Sequence, residues 1–163
     1  MELKHRHDWR KLISVAYILA FAVYVAIGLQ PAEAKHYDVS GDILIPAIDL
    51  ISDVTTLTLH DNKLDTPDTI VGEYSRNASK TFLIGHSSTV FKDLYKIKAS
   101  DRIYYDNTEY KVVGLETLEK SEIDMNAVLA PAKKQTLVIM TCAGESLGNG
   151  DATHRLIVTA VKI

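Results

Sequence analysis

Cys142 is the single cysteine among 163 residues, and Arg155 and His86 are the residues whose positions could make it reactive. The thiolate is the stronger nucleophile, and a neighbouring cation or histidine favours its formation. The thiol follows an apolar run, Leu137-Val138-Ile139-Met140, and Thr141; the arginine lies in a second β-rich run, Thr153-His154-Arg155-Leu156-Ile157-Val158. The segment between them carries Gly144, Gly148 and Gly150 and reads as a loop. Hairpin-like pairing of the two runs would bring thiol and guanidinium close together. Strand alternation groups Cys142 with Met140 and Val138, and Arg155 with Ile157 and Thr159, leaving His154 on the opposite face. A cation on a core-side face needs a reason.

Six histidines compete for the base. His5 and His7 precede a long apolar segment, and His36 lies in the polar stretch after it. His60 sits in a polar turn, and His154 points away from the Arg155 face. His86 follows Phe82-Leu83-Ile84-Gly85 at a strand end, where functional side chains often sit. Each residue also has a plain structural reading: Cys142 as a small buried hydrophobe, and Arg155 as the ion-pair partner of Glu145 or Asp151. Pairing and catalysis are compatible at different stages of a reaction.

The positioning elements are short. Residues 43–50 and 55–59 read as strands, with Pro46 confining the first to an edge or a bend. Thr66-Pro67-Asp68 reads as an N-cap with Pro at the first helical position, predicting a short helix to about Val71. Residues 81–85 form a strand that delivers His86, and Val90, Phe91, Leu94 and Tyr95 then recur at helical spacing. Residues 102–105 and 109–118 flank Asp106-Asn107-Thr108 as a hairpin, and Asp124 caps a helical turn ended by Pro131. Many short strands and few short helices predict an all-β barrel or sandwich.

The chain resembles a sortase. The residues that carry the likeness are Thr141-Cys142 ending a strand, Arg155-Leu156-Ile157-Val158 opening the next, Gly85-His86 upstream, and the first-strand pattern Ile43-Leu44-Ile45-Pro46-Ala47-Ile48-Asp49-Leu50. The family's Thr-Leu-x-Thr-Cys is here Val138-Ile139-Met140-Thr141-Cys142, which keeps the last two fixed residues. The likeness implies a closed eight-stranded β-barrel and a cysteine transpeptidase. It implies that Cys142 attacks a C-terminal sorting signal resembling Leu-Pro-x-Thr-Gly to form a thioacyl enzyme. His86 then acts as acid and base, Arg155 stabilises the oxyanion or anchors the substrate backbone, and Thr141 contributes to substrate binding. The implied partners are secreted proteins bearing that signal and an amine acceptor, such as a lipid-linked cell-wall precursor or a pilin lysine. No cofactor is implied. Calcium activation stays open, because Glu73, Asp101, Glu116, Glu119 and Glu122 supply acids without a recognisable loop spacing.

Other cysteine enzymes fit less well. Papain-like proteases place Cys before His in the chain, and L,D-transpeptidases place the Cys just before the Arg, whereas 12 residues separate the two here. The alternative from a different class is a catalytically silent, membrane-anchored β-domain that binds envelope components. Reactivity of Cys142 towards a thiol reagent, compared with a His86 variant, separates the two.

Bulk composition bounds the rest. Residues 12–29 are 18 residues without a charge, preceded by Lys4, Arg6, Arg10 and Lys11. That pattern predicts a transmembrane signal-anchor with a cytoplasmic N-terminus at residues 1–11 and the domain outside the cell membrane. Cleavage after Ala32-Glu33-Ala34 is the alternative, which would release the domain. Residues 30–42 read as a tether and 43–163 as the catalytic domain. Setting aside four basic and two acidic residues in positions 1–30, from 18 and 21, leaves 14 and 19, net −5, which argues against a nucleic-acid partner. One cysteine excludes an intrachain disulfide and a multi-cysteine metal site.

Overall fold

The computed structural model describes residues 42–61, 63–148 and 150–163. The expected signal-anchor and most of the tether lie outside these residues, and among the described residues no helix is long and apolar enough to cross a membrane.

Eleven strands follow in chain order: β1 (Ile43–Ile45), β2 (Leu50–Ser52), β3 (Val54–Thr56), β4 (Leu59–His60), β5 (Lys63–Leu64), β6 (Val71–Asn77), β7 (Lys80–Ile84), β8 (Arg102–Tyr105), β9 (Thr108–Glu119), β10 (Thr136–Gly148) and β11 (Asp151–Lys162). Among the described residues, one short helix, α1 (Met125–Leu129), and three single 3-10 turns accompany these strands. β4 and β5 form a two-residue ribbon. The other nine strands make one sheet, in the order β2-β1-β8-β9-β11-β10-β7-β6-β3. Its two edges, β2 and β3, are separated only by Asp53, whose carbonyl accepts from the Val71 amide at 3.1 Å. The sheet therefore curls until its edges are joined through the chain itself. Counting β2 and β3 as one bent strand leaves eight around a nearly closed barrel.

Local chemistry explains most of these elements. Pro46 starts a 3-10 turn that folds β2 back onto β1. Asp106 and Asn107, at φ 47° and 54°, make the left-handed pair that a two-residue hairpin turn requires between β8 and β9. The Asp124 carboxylate accepts from the Asn126 amide at 2.9 Å and caps α1. Asn77, the start of a glycosylation-like triplet, is used structurally: its side chain bonds Ser79 and the Leu129 carbonyl at the β6–β7 turn.

Some expectations fail, and the continuous strand expected over residues 43–50 is one, split by the 3-10 turn Pro46–Ile48. The helix through residues 66–71 does not form: 68–70 are bends, and Val71 opens β6, beside Val54 of β3. The capping signal is local, and fully burying Val71, at 0% exposure, outweighs it. The glycine-rich segment is also less of a loop than expected. The β10–β11 ladder continues to Gly148 opposite Asp151, with irregularities after Ala143 and Ser146. Gly144, at φ 77°, allows the first of these.

The hydrophobic residues form two layers. Inside the barrel, Leu83, Ile103, Val112, Leu137, Ile139 and Val158 are buried together with Phe91 and Leu94 from the segment after His86. On the outer surface, Phe82, Val138, Met140 and Ile157 are covered by α1 and the β4–β5 region through Leu64, Met125, Val128 and Leu129. Both faces of β10 are therefore apolar, which is why residues 137–140 run without alternation. β10 is central, antiparallel to β11 and parallel to β7.

Candidate active site

The second layer reassigns the face that carries the thiol. Val138 and Met140, which share a face with Cys142, belong to the outer layer; Leu137 and Ile139, which alternate with them, belong to the barrel interior. Cys142 and Arg155 therefore stand on the outside of the barrel, where the outer apolar layer gives way to solvent.

Register brings three chain-distant residues together. Cys142 pairs directly with Arg155 across β10 and β11. On the other flank, Met140 pairs with Ile84 of β7, so two residues further on His86 emerges level with Cys142. His86, Cys142 and Arg155 line one open pocket with Thr141, Gly150 and Asp151. The thiol is the middle member. His60 lies in the exposed β4–β5 ribbon, and His154 is turned to Thr153, with 2.8 Å between Nδ1 and Oγ1, in a separate depression.

Each member is fixed from below. The Thr141 hydroxyl is buried and donates to the Gly85 carbonyl at 2.7 Å, tying the middle of β10 to the residue before His86. That hydrogen bond makes Thr141 a positioning group for the His–Cys pair. The His86 carbonyl accepts from the Phe91 amide at 3.0 Å and the Thr89 amide at 3.3 Å, so the chain turns sharply after it. Gly85 permits this turn: a Cβ there would lie 2.6 Å from Val90 Cγ1 and 2.8 Å from the Phe91 ring. Because Phe91 is 1% exposed and cannot retreat, Gly85→Ala should cost about 1–3 kcal/mol, as overpacked sites do. It should also displace His86, lowering both Tm and turnover; a melt and an activity unchanged from wild type would contradict this packing role.

Arg155 is held by three contacts. Nη1 donates to the Ala152 and His154 carbonyls at 3.0 and 2.9 Å, and Nη2 pairs with Asp151 Oδ1 at 2.6 Å. Its side chain is 13% exposed. Of five guanidinium N–H groups, three are used, and two have no protein acceptor among the described residues. The Asp151 carboxylate also pairs with Lys120 Nζ. Lys120 first, then Arg155 and the Ala152 amide, hold the Asp151 carboxyl well below the usual carboxylate range. With a depressed folded value, the charge pairing is complete above the ordinary carboxylate range and is lost only in strong acid. The expected ion pair of Arg155 is thus with Asp151; Glu145 instead uses its backbone amide on Thr153.

Lys120 was not foreseeable from local sequence. It opens a 3-10 turn after β9, and β9 pairs with β11 so that Leu118 faces Arg155. This long-range pairing sets the lysine beside Asp151. The pocket continues outward over the apolar layer as a groove, sharing Leu64, Ile84 and Met140 and passing Tyr74 and Phe82 on β6 and β7. Among the described residues, no group of three or more His, Cys, Asp or Glu is arranged to hold a metal ion.

Comparison with known proteins gives the same fold and a family. Sortase A from Corynebacterium diphtheriae, in a lid mutant, superposes with a TM-score of 0.58 at 21% identity, covering 80% of this chain and 74% of that one. Sortase A of Listeria monocytogenes gives 0.58 at 22% identity, over 76% and 86%. Streptococcus pneumoniae sortase C gives 0.56 at 21%, over 81% and 75%. No curated protein sequence matches the chain significantly. The sortase domain family itself matches residues 43–163. That span contains the whole described barrel and all three pocket residues, and the chain therefore belongs to the sortase family of cysteine transpeptidases.

Proposed function

We propose that the chain cleaves a C-terminal sorting signal resembling Leu-Pro-x-Thr-Gly and transfers the upstream protein to an amine. The observation that carries this reading is the convergence of His86, just past the end of β7, with Cys142 and Arg155, paired within β10 and β11, on one pocket. The Cys142 sulfur bonds to the threonine carbonyl carbon, and the peptide bond to glycine breaks as His86 gives a proton to the leaving amine. An incoming amine attacks the thioester, returns a proton to His86 and releases the thiolate. Arg155 donates its free N–H groups to the oxyanion in both steps. The groove beside the thiol provides an apolar bed for an extended peptide.

The acceptor in this reading is a lipid-linked cell-wall precursor or a pilin lysine, and the enzyme works at the outer face of the cell membrane. An uncharged run behind four basic residues supports that location. Full-length protein should remain in membranes after carbonate washing, with the C-terminal domain cleaved by protease added from outside. A mature N-terminus at Lys35 would contradict the anchor and indicate cleavage after Ala34.

Incubation with a sorting peptide and an amine, followed by mass spectrometry, tests the reaction. The expected product joins the amine to the threonine carboxyl; an intact peptide after prolonged incubation would favour a silent binding domain.

A further inference from the structure

The groove beside Cys142 carries charge of the opposite sign to the chain as a whole. The full sequence has a net charge of −3, yet Lys63, Arg76, Lys120 and Arg155 line the pocket and groove against only Asp65 and Asp151, four cations to two carboxylates and a local net of +2. Two of the cations are already engaged, since Lys120 and Arg155 share Asp151. The other two are not: among the described residues, neither Lys63 nor Arg76 has a carboxylate within salt-bridge distance. The nearest acceptor of Arg76 is the neutral Asn126 side chain, at 3.5 Å. Both are exposed and stand over an apolar floor that includes Tyr74, Phe82 and Met140.

We infer that Arg76 and Lys63 are specificity-determining residues that select a sorting peptide carrying an acidic side chain beside its motif. This rests on the transpeptidase reading above and deepens it. Register gives the distance. Val138 pairs with Phe82, and Phe82 with Tyr74, so β6 next to Tyr74 lies four residues back from Cys142 along the sheet. Arg76 lies slightly further, beyond the irregularity that follows Tyr74. At ~3.3 Å per residue the separation along the strands is roughly 16 Å, the length of about five extended residues. Arg76 therefore addresses the residue about five positions from the bond attacked. Lys63, which lines both the thiol pocket and the groove, serves nearer positions, including the variable residue of the motif. Opposite charge at the rim of an apolar site acts on partner choice and on capture rate, and it weakens with salt.

The test uses full-length protein in nonionic detergent and three peptide series, with Glu, Gln or Lys at the variable position, at the residue preceding the motif, or at both. At low salt, Glu should exceed Gln in kcat/KM by about three- to tenfold at the better position, mainly through KM, with Lys poorest, and the preference should shrink in 0.5 M salt. Arg76→Gln with Lys63→Gln should bring Glu and Gln within about twofold without changing Tm, and Arg76→Lys with Lys63 retained should keep most of the preference. Peptides that all form the Cys142 adduct but show no preference for Glu would overturn this inference and leave the transpeptidase standing. A preference that survives in the double variant would overturn the assignment to these two residues. Failure of every peptide to form the adduct would overturn both readings.

Discussion

Cys142→Ala should lower transpeptidation by at least ~10⁴-fold while leaving the barrel folded, because deleting a nucleophile removes the covalent route outright. The fold has little stake in the sulfur. Cys142 is half-buried midway along β10, and among the described residues its only polar contact is the Gly150 carbonyl at 4.0 Å. The barrel interior is built instead from Leu137 and Ile139 on the alternate face. Alanine keeps the β10 backbone and the ladder to Arg155, so Tm should stay close to wild type. Because the chain has no second thiol, residual turnover in this variant cannot come from another cysteine. Turnover near the wild-type rate would end the cysteine-transpeptidase reading.

The second large effect is expected at Arg155, where charge and shape can be separated. Lysine keeps the charge but cannot reproduce a planar fork that reaches two carbonyls and Asp151 at once while leaving N–H groups for substrate. If those free groups meet the developing oxyanion, Arg155→Lys should lower kcat by ~10²–10³ with little change in KM. Arg155→Ala should be at least as damaging. Asp151→Asn should be milder, because the two carbonyl contacts and the pairing with Cys142 on the ladder would still hold the guanidinium. If pairing with Asp151 were the main duty of Arg155, the order would reverse: the lysine variant would stay near wild type and Asp151→Asn would match the alanine variant. Asp151 stays ionised far below neutral pH, so this comparison should come out the same from mildly acidic to mildly alkaline conditions. Thermal melts serve as the folding control, and a lysine variant with full kcat would contradict the oxyanion role.

The thiol–guanidinium pair was legible in the sequence because it depends on local information. Two β-rich runs around a short glycine-bearing segment define a hairpin, and period-two alternation then places Cys142 and Arg155 on facing positions. The β8–β9 turn and the Asp124 cap were readable for the same reason, each resting on the preference of one or two residues. The partnership with His86 had no such signal. It depends on β7 lying parallel to β10, a pairing between segments more than fifty residues apart that alternation cannot specify; the strand-end position of His86 and the weakness of its rivals made it the candidate, and the family likeness strengthened it. The helix expected from Thr66-Pro67-Asp68 shows the limit from the other side, since a sound capping pattern gave way to the pairing of β6 with β3. The outer apolar layer was hidden as well. Residues 137–140 announce a buried strand without saying that each face meets a different layer, and so the Cys142–Arg155 face was read as core-side when it borders a groove. Lys63, Arg76 and Lys120 gained meaning only when the fold gathered them there.

The most direct test of the account is the chemical identity of the enzyme intermediate. Wild-type protein mixed with a sorting peptide, without an amine acceptor, should gain the mass of the peptide up to and including its threonine. Digestion should map that adduct to the fragment containing Cys142, and addition of an amine should release it. No adduct while the peptide is being cleaved, or an adduct on any other residue, would contradict the thioacyl mechanism.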